Sequence, residues 1–193
     1  MSHVSPEQPS HRIPTPQELG FDPADLRRKY AEERDKRMLP VGNDQFVEVA
    51  GNYARYEEDP HVEPGFTRPA IEKALDVVIL GGGFGGMLAA ARLQEAGITD
   101  VRIVERAGDF GGTWYWNRYP GAQCDIESYV YLPFLDETGY IPTERYVFQP
   151  EIFEHAQRIG RHYDLYDRAY FQTQVKEMRW QKDEGRWIVT GLE

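Results

Sequence analysis

Two short apolar segments, separated by a glycine cluster and an apolar stretch, form the clearest pattern in the chain. Residues 76–80 and 101–105 are rich in β-branched side chains and have the length of buried parallel strands. Between them, residues 87–96 are rich in alanine and leucine, which predicts a helix packed on a sheet, and Gly97 is suited to end it. A strand, a helix and a strand within about 30 residues predict a right-handed βαβ unit.

The residues after this unit divide into an irregular segment and a second set of elements. Residues 106–149 show no clear period but are rich in aromatic residues and glycine, and such a long irregular segment usually lines a site. Pro150 is suited to open a helix. The apolar face of that helix carries Ile152, Phe153, Ala156, Ile159 and Tyr163. Three β-meander strands are predicted after it, over residues 169–173, 175–181 and 186–190.

The first 72 residues are predicted to form an extended arm, which places a domain boundary between residues 72 and 73. Residues 1–20 contain four prolines and show no apolar periodicity, so they are predicted to be disordered or loosely attached. A helix is predicted near residues 23–38, because Asp22 can cap it and Pro23 suits its first position. Three aromatic side chains are expected to pin residues 40–72 to a folded surface: Tyr53, Tyr56 and Phe66.

Charge and cysteine content narrow the class of protein. The formal net charge of −10 disfavours nucleic acid and anionic membranes as partners. The N-terminus lacks the apolar core of a signal peptide, and the longest uncharged stretch, residues 77–91, is too short to span a bilayer. We therefore expect a soluble, cytoplasmic protein. The single cysteine, Cys124, is expected to be a small buried residue rather than a nucleophile.

Metal ligation is not expected. The histidines lack the spacing of metal-ligand pairs. His155 and His162 lie seven residues apart on the helix predicted after Pro150, and we expect them at its surface or supporting other residues.

A glycine-rich turn joins the first predicted strand to its helix. Residues 81–86, Gly-Gly-Gly-Phe-Gly-Gly, satisfy the pattern G-x-G-x-x-G. Gly81 allows a tight turn, Gly83 lets a pyrophosphate approach the backbone, and Gly86 lets the helix pack close to the strand. Glu105 follows nineteen residues after Gly86, where an acid can accept hydrogen bonds from ribose hydroxyls. Because this carboxylate would repel a 2′-phosphate, the pattern favours FAD or NAD over NADP.

The residues after Glu105 favour flavin over nicotinamide. A second glycine pair, Gly111-Gly112, follows the acid, as in flavoproteins with two dinucleotide-binding domains, and leaves room for the longer FAD. The most specific segment is residues 111–128, with the sequence Gly-Gly-Thr-Trp-Tyr-Trp-Asn-Arg-Tyr-Pro-Gly-Ala-Gln-Cys-Asp-Ile-Glu-Ser. It closely resembles class B flavoprotein monooxygenases, and within them the Baeyer–Villiger group. The resemblance runs from about Leu75 to Gly191, and residues 41–48 resemble the N-terminal extension of the longer members.

The resemblance implies an α/β fold with a Rossmann-like FAD-binding βαβ unit. Residues 73–193 would be the N-terminal part of the FAD-binding domain, which is incomplete within this chain. It also implies which residues contact the cofactors. These are Gly81, Gly83, Phe84, Gly85, Gly86, Glu105, Arg106, Gly112, Thr113, Trp114, Tyr115, Trp116, Gln123, Cys124, Asp125, Tyr131 and Val175.

Particular roles follow from the same resemblance. The glycines would hold the pyrophosphate, Glu105 the adenosine ribose, and the Val175 backbone the adenine. Residues 113–116 would line the ribityl chain and flavin, while Gln123 and Cys124 would meet the nicotinamide. Asp125, the one residue given a catalytic role, would lie beside the isoalloxazine ring and position a catalytic arginine. Two simpler interpretations stay open, namely that residues 114–116 are core aromatics and that Asp125 caps a turn.

The implied activity is an NADPH- and O2-dependent conversion of ketones to esters or lactones. A second glycine fingerprint for NADPH and an assignable catalytic arginine are not found in this sequence. We therefore expect a split, cleaved or truncated enzyme that is inactive alone, with the remainder supplied as a covalent continuation or a second chain. The alternatives are part of a related flavin monooxygenase that oxidises nitrogen or sulfur, and a noncatalytic flavin-binding module that needs a partner chain.

Overall fold

The computed structural model describes residues 14–47 and 49–192, so the disorder predicted for residues 1–13 lies outside the described residues. The chain divides into two compact units between Glu57 and Glu58. Residues 58–72 thus belong to the second unit. The boundary placed between residues 72 and 73 stays a prediction about the extent of the cofactor domain.

The first unit begins with a one-turn helix, α1, over Pro16–Leu19. A capping box sets its start: the Thr15 hydroxyl accepts from the Glu18 N–H at 3.4 Å, and the Glu18 carboxylate accepts from the Thr15 N–H at 2.7 Å. Of the two states predicted for residues 1–20, disorder is therefore wrong for residues 16–19, because a local cap outweighs the proline-rich composition there, while loose attachment stays a prediction.

The second helix, α2, spans Pro23–Arg37 and confirms the helix predicted near residues 23–38. The Asp22 carboxylate accepts a hydrogen bond from the Ala24 N–H at 2.8 Å, which satisfies one of the free donors at the helix start. Two 3-10 segments follow, at Gly42–Gln45 and Gly51–Tyr56.

Of the three aromatic side chains expected to pin residues 40–72, Phe66 lies in the second unit and is 43% exposed, so it is not a buried anchor there. Tyr53 and Tyr56 lie in the first unit, and their docking on a folded surface stays a prediction. Within the second unit, residues 59–68 are held by other side chains, which are described with the site below.

A three-stranded parallel sheet forms the centre of the second unit. β1, Val77–Leu80, pairs with β2, Val101–Val104, from Val77 opposite Val101 to Leu80 opposite Val104. α3, Phe84–Glu95, connects the two strands, which confirms the predicted βαβ unit. Gly97 then has a φ of +85°, as expected just past a helix end. The third strand, β3, Ala169–Tyr170, pairs with the other side of β2.

β3 is shorter than the strand predicted over residues 169–173. Gln172 has a φ of +50°, which a strand cannot contain, so the chain turns after Tyr170. The Gln172 N–H donates to the Ala107 carbonyl at 3.0 Å, and the Thr173 N–H donates to the Glu105 carbonyl at 2.9 Å. The turn therefore fastens residues 172–173 to the segment that leaves β2.

The last two strands form a separate antiparallel hairpin. β4, Gln174–Gln181, pairs with β5, Arg186–Leu192, around a turn in which Gly185 has a φ of +61°. Trp180 and Trp187 lie opposite each other, with ring centroids 5.4 Å apart. Both indoles are about half exposed, at 48% and 59%.

The irregular segment contains three one-turn helices: α4, Thr113–Trp116, α5, Ser128–Tyr131, and α6, Leu135–Thr138. The helix after it, α7, spans Gln149–His162 and buries Ile152, Ala156 and Ile159, as predicted. His162 is exposed, but His155 is fully buried, so the surface interpretation of His155 is wrong.

Two hydrophobic clusters hold these elements together. The larger joins α3, β2 and α7 through Met87, Ala90, Ala91, Val101, Ile103, Phe110, Phe134, Ala156, Ile159 and Leu165. The smaller lies beneath the irregular segment and contains Cys124, Leu132, Val147 and Ile152. The predicted burial of Cys124 is therefore confirmed. In the described part of the chain, no helix combines the length and the apolar composition needed to cross a membrane.

The contact between β1 and α3 predicts opposite effects for two neighbouring glycines. A Cβ on Gly86 would lie 1.9 Å from the Gly81 carbonyl oxygen, whereas a Cβ on Gly85 would meet nothing within 4 Å. We expect Gly86→Ala to lower the free energy of unfolding by about 3 kcal/mol, because strand and helix must separate. Gly85→Ala should raise it by up to about 1 kcal/mol, since alanine restricts the unfolded chain. Urea unfolding measures both, and equal midpoints for the two variants would contradict the packing described.

Candidate functional site

The glycine-rich turn between β1 and α3 has the shape predicted for it. Gly81 has a φ of +98°, and its N–H donates to the Val104 carbonyl at 2.8 Å, so the chain turns sharply as it leaves the sheet. Gly83 precedes α3, and no side chain caps the helix there. The N–H groups of the first turn and the positive end of the helix dipole therefore lie at this turn.

The second glycine pair lies directly against this turn. The Gly111 N–H donates to the Gly82 carbonyl at 3.0 Å. Gly112 has a φ of +54°, and a Cβ on it would lie 2.8 Å from the Gly83 Cα atom. Two backbones without side chains are therefore in contact, so a ligand that lies along one lies along the other.

Glu105 follows β2 immediately and is only 7% exposed. One oxygen of its carboxylate accepts from the Ala107 N–H at 2.6 Å, and the other accepts from the Gly82 N–H. A carboxylate oxygen has two lone pairs, so each can accept a further hydrogen bond. The acid is therefore held at the glycine turn, with acceptor capacity left for a ligand hydroxyl.

Three aromatic side chains from different parts of the chain meet beside this turn. The rings of Phe84 and Tyr131 lie 6.0 Å apart, and the same distance separates Tyr131 from Trp114. The Trp114 indole N–H donates to the Tyr131 hydroxyl at 2.8 Å. α3, α4 and α5 are thus joined at one aromatic cluster.

Tyr115, by contrast, is buried at 2% exposure. Its hydroxyl donates to the Asp59 carboxylate at 2.7 Å and accepts from the Gly108 N–H at 3.2 Å. Burial, and next the hydrogen bond to Asp59, raise the pKa of Tyr115, so the hydroxyl stays protonated as a donor. Its side chain is part of the interior, as the simpler interpretation of residues 114–116 expects for it.

Residues 122–124 lie against residues 146–149. The Cys124 N–H donates to the Val147 carbonyl at 3.0 Å, and the Gln123 side-chain amide donates to the Tyr146 carbonyl at 2.6 Å. Asp125 follows in a bend and is exposed. The carboxylate given a catalytic role is therefore at the surface of the second unit.

The remaining predicted positions lie around this arrangement. Thr113 is the exposed first residue of α4, and the Arg106 guanidinium lies 5.8 Å from the ring centre of Trp116. Val175 lies in the hairpin, opposite Gly191. The hydrogen bonds and ring contacts described above join the glycine turn to Glu105, Gly112, Trp114 and Tyr131 but include neither Asp125 nor Val175. In the described ranges, no group of three histidine, cysteine or carboxylate side chains is arranged to hold a metal ion.

Known proteins match both the sequence and the fold. A family model described as an NAD(P)-binding Rossmann-like domain matches residues 79–141. A Baeyer–Villiger monooxygenase, ATR8 of Stachybotrys chlorohalonatus (strain IBT 40285), is 50% identical over 182 residues, which is 94% of this chain and 29% of that protein. The structure of a polycyclic ketone monooxygenase from the thermophilic fungus Thermothelomyces thermophila has a TM-score of 0.77 and 42% identity, over 87% of this chain and 28% of that one.

The chain belongs with the Baeyer–Villiger monooxygenases. It spans less than a third of the length of these relatives. A further structure, of OTEMO in complex with FAD and NADP, has a TM-score of 0.58 and 35% identity over 63% of this chain and 23% of that one. The predicted Rossmann-like fold and the resemblance that residues 111–128 carry are thereby confirmed.

In this Baeyer–Villiger chain, the structure adds residues that sequence patterns missed. The Asp59-Pro60 pair signals only a turn, yet Asp59 bonds to Tyr115 and Gly108. The Arg68 guanidinium donates to the Phe171 carbonyl at 3.4 Å. These partners lie 49 to 103 residues away along the chain, so no local pattern could reveal them.

His155 is the other missed residue, and it lies behind the glycine turn. Its ring is 6.3 Å from that of Phe84 and stacks at 4.8 Å on Tyr140. Its Nε2 donates to the Pro133 carbonyl at 2.7 Å, and its Nδ1 lies 3.3 Å from the Arg158 guanidinium, which donates to it. Burial lowers the pKa of His155 below its usual value. A histidine with both nitrogens satisfied can thus replace an apolar residue on this helix face.

The lowered pKa of His155 predicts a pH-dependent stability. The folded chain holds the ring neutral while the unfolded chain binds a proton, so stability is complete above the ordinary histidine pKa of about 6.5 and is lost as the pH falls below it. We expect His155→Gln to lose less stability between about pH 7.5 and 5.5 than the unchanged chain. His162→Gln, on the exposed side of α7, is the control and should behave as the unchanged chain does. The midpoint of thermal unfolding is measured for the three proteins across this pH range. The same dependence of the midpoint on pH in all three would contradict the lowered pKa of His155.

Proposed function

We propose that this chain binds FAD and forms the FAD-binding part of a Baeyer–Villiger monooxygenase. The observation that carries the proposal is the contact between the two glycine segments at Gly83 and Gly112. A dinucleotide site needs the first glycine segment, residues 81–86. The second glycine segment, Gly111-Gly112, extends that site next to the carboxylate of Glu105. The neighbouring structure of OTEMO, in complex with FAD and NADP, supports the same cofactors here.

The residues present fit a flavin dinucleotide. A side chain on Gly112 would fill the space at Gly83, and the uncapped start of α3 offers N–H donors where a pyrophosphate carries negative charge. We assign Gly81, Gly83, Gly85 and Gly86 to the pyrophosphate. Glu105 takes the adenosine ribose, and the Val175 backbone takes the adenine. Arg106 and Phe84 flank these contacts.

The flavin end is assigned to the aromatic side of the site. Thr113, Trp114 and Trp116 line the ribityl chain and ring, Tyr115 supports them from the interior, and Tyr131 holds the Trp114 indole. When bound, FAD supplies the redox chemistry with oxygen, and the protein supplies placement, charge and exclusion of water. Gln123 and Cys124 are assigned to the side that meets NADPH.

The proposed reaction is the NADPH- and O2-dependent oxidation of a ketone to an ester or lactone. A relative named a polycyclic ketone monooxygenase favours a ketone over a nitrogen or sulfur substrate. Asp125 is proposed to position a catalytic arginine that a further part of the enzyme supplies, either as a continuation or as a second chain. Its exposed position leaves the carboxylate accessible to such a group. We place the enzyme in the cytoplasm, which a free buried Cys124 supports.

Glu105 tests the cofactor assignment. We expect Glu105→Gln to weaken FAD binding about tenfold, because one charged acceptor is lost while the side-chain size is kept. Glu144→Gln, an exposed acid, is the matched control and should bind FAD as the unchanged chain does. Flavin absorbance titrations measure both affinities, and titrations with NAD and NADP run beside them. If the chain bound NAD tightly but did not bind FAD, the flavin assignment would be wrong.

A second test concerns activity. The 193-residue chain loaded with FAD is expected to form no ester from a cyclic ketone in the presence of NADPH, because one dinucleotide fingerprint is found in its sequence. Product analysis by gas chromatography measures this, with a complete Baeyer–Villiger enzyme as the positive control. Oxygenated product from the purified chain would show that the nicotinamide site is contained within it.

A further inference from the structure

Asp59 lies in the short segment that precedes the sheet and makes three hydrogen bonds. One oxygen of its carboxylate accepts from the His61 N–H at 2.9 Å, which closes a tight turn around Pro60. The other oxygen accepts from the Tyr115 hydroxyl at 2.7 Å and from the Gly108 N–H at 3.1 Å. A single carboxylate thus joins a turn of its own segment to two distant points of the chain.

Those two points lie on either side of the second glycine pair, and the first of them closely follows Glu105. Gly108 lies three residues after Glu105, and Tyr115 lies three residues after Gly112. Between them the chain has no regular structure until α4 begins. Because Asp59 holds both ends of residues 108–115, it limits where Gly112 can lie relative to the glycine turn, and through Gly108 it restrains the chain that leaves Glu105.

Packing around Asp59 restrains the same stretch. A Cβ on Gly108 would lie 2.3 Å from the Val62 Cγ1 atom, so Val62 rests directly on the Gly108 backbone. The His61 ring meets the Tyr115 ring edge-on at 5.7 Å. The Arg118 guanidinium covers Tyr115 at 4.6 Å from its ring centre. The Asp59–Tyr115 hydrogen bond is partly shielded from water, where a bond to a charged acceptor is strong.

We propose that Asp59 is a positioning residue for the flavin site, which acts through Tyr115 and Gly108 to hold residues 105–115 in the conformation that binds FAD. This inference rests on the proposed FAD binding. It assigns part of the cofactor affinity to a segment that precedes the βαβ unit and contributes none of the nucleotide contacts assigned above.

The contacts of Asp59 with Gly108 and Tyr115, called here the Asp59 tether, are tested without FAD. Hydrogen–deuterium exchange of the full chain is compared for the unchanged protein, Asp59→Ala and Glu63→Ala, the last being an exposed acid of the same segment. We expect exchange across residues 106–116 to accelerate about tenfold in Asp59→Ala, because a hydrogen bond to a charged group is lost, and to stay unchanged in Glu63→Ala. Unchanged exchange in Asp59→Ala would overturn the inference.

The consequence for the cofactor is measured on the same three proteins. Asp59→Ala is expected to bind FAD about tenfold more weakly, and visible circular dichroism at saturating FAD should show an altered flavin environment. Tyr115→Phe removes the same hydrogen bond with a smaller change in packing and should have a similar effect. Because both substitutions remove the same Asp59–Tyr115 hydrogen bond, the double variant should bind FAD only slightly more weakly than either single variant.

The outcomes distinguish a positioning role of Asp59 from a purely structural one, and both from the proposed FAD binding. Accelerated exchange with unchanged FAD affinity and unchanged flavin dichroism would show that Asp59 only stabilises the fold, and would overturn its positioning role. Full additivity of Asp59→Ala and Tyr115→Phe would also count against it, since the two side chains would then act independently. Failure of the unchanged chain to bind FAD would overturn the proposed function, while the exchange measurement would still decide whether Asp59 holds residues 106–116.

Discussion

The second unit depends on one close contact, between the backbone at the end of β1 and the backbone at the start of α3. Gly86 lies so near the Gly81 carbonyl that only a hydrogen fits between them. The contact fixes the direction in which α3 leaves the sheet, and so where the helix presents its N–H groups. β2 runs parallel to β1 and ends at the same edge, which brings Glu105 and then Gly112 to those groups. The edge of the sheet becomes a candidate site because these backbones converge there.

Hydrogen bonds of polar side chains, rather than pairing with the sheet, fix the conformation of the irregular segment, residues 106–149. Residues 106–149 have three single helical turns and little other regular structure, so their shape depends on specific hydrogen bonds. The Asp109 carboxylate accepts from the Tyr166 hydroxyl at 2.9 Å and from the Gln157 amide at 2.8 Å. Asp59 acts in the same manner on Tyr115. Half-buried acceptors of this kind tie distant parts of the chain to one conformation, because leaving them unpaired would be costly.

Sequence patterns of neighbouring residues predicted the elements whose formation depends only on neighbouring residues. The βαβ unit, the cap at Asp22 and the buried face of α7 follow from periodicity and backbone rules, and each was found close to its expected bounds. The surface interpretation of His155 is wrong because periodicity counts only apolar residues, whereas a histidine with two satisfied nitrogens is equally suited to the interior. The early end of β3 depends on the positive φ of Gln172, which no residue type in that stretch signals. The Asp59–Tyr115 hydrogen bond joins residues 56 apart in the sequence, so no pattern of neighbouring residues predicts it.

The placement of the tryptophans has an optical consequence. The chain has four, and they fall into two pairs: Trp114 and Trp116 on α4 beside the glycine turn, and Trp180 with Trp187 on the hairpin. The hairpin indoles are close enough for their transitions to couple, so they report on whether β4 and β5 stay paired. In the proposed FAD complex, the flavin would lie near the indoles of α4 and accept their excitation energy. Loss of intrinsic emission on addition of FAD would therefore report on the α4 pair, whereas the hairpin pair reports on the pairing of β4 and β5.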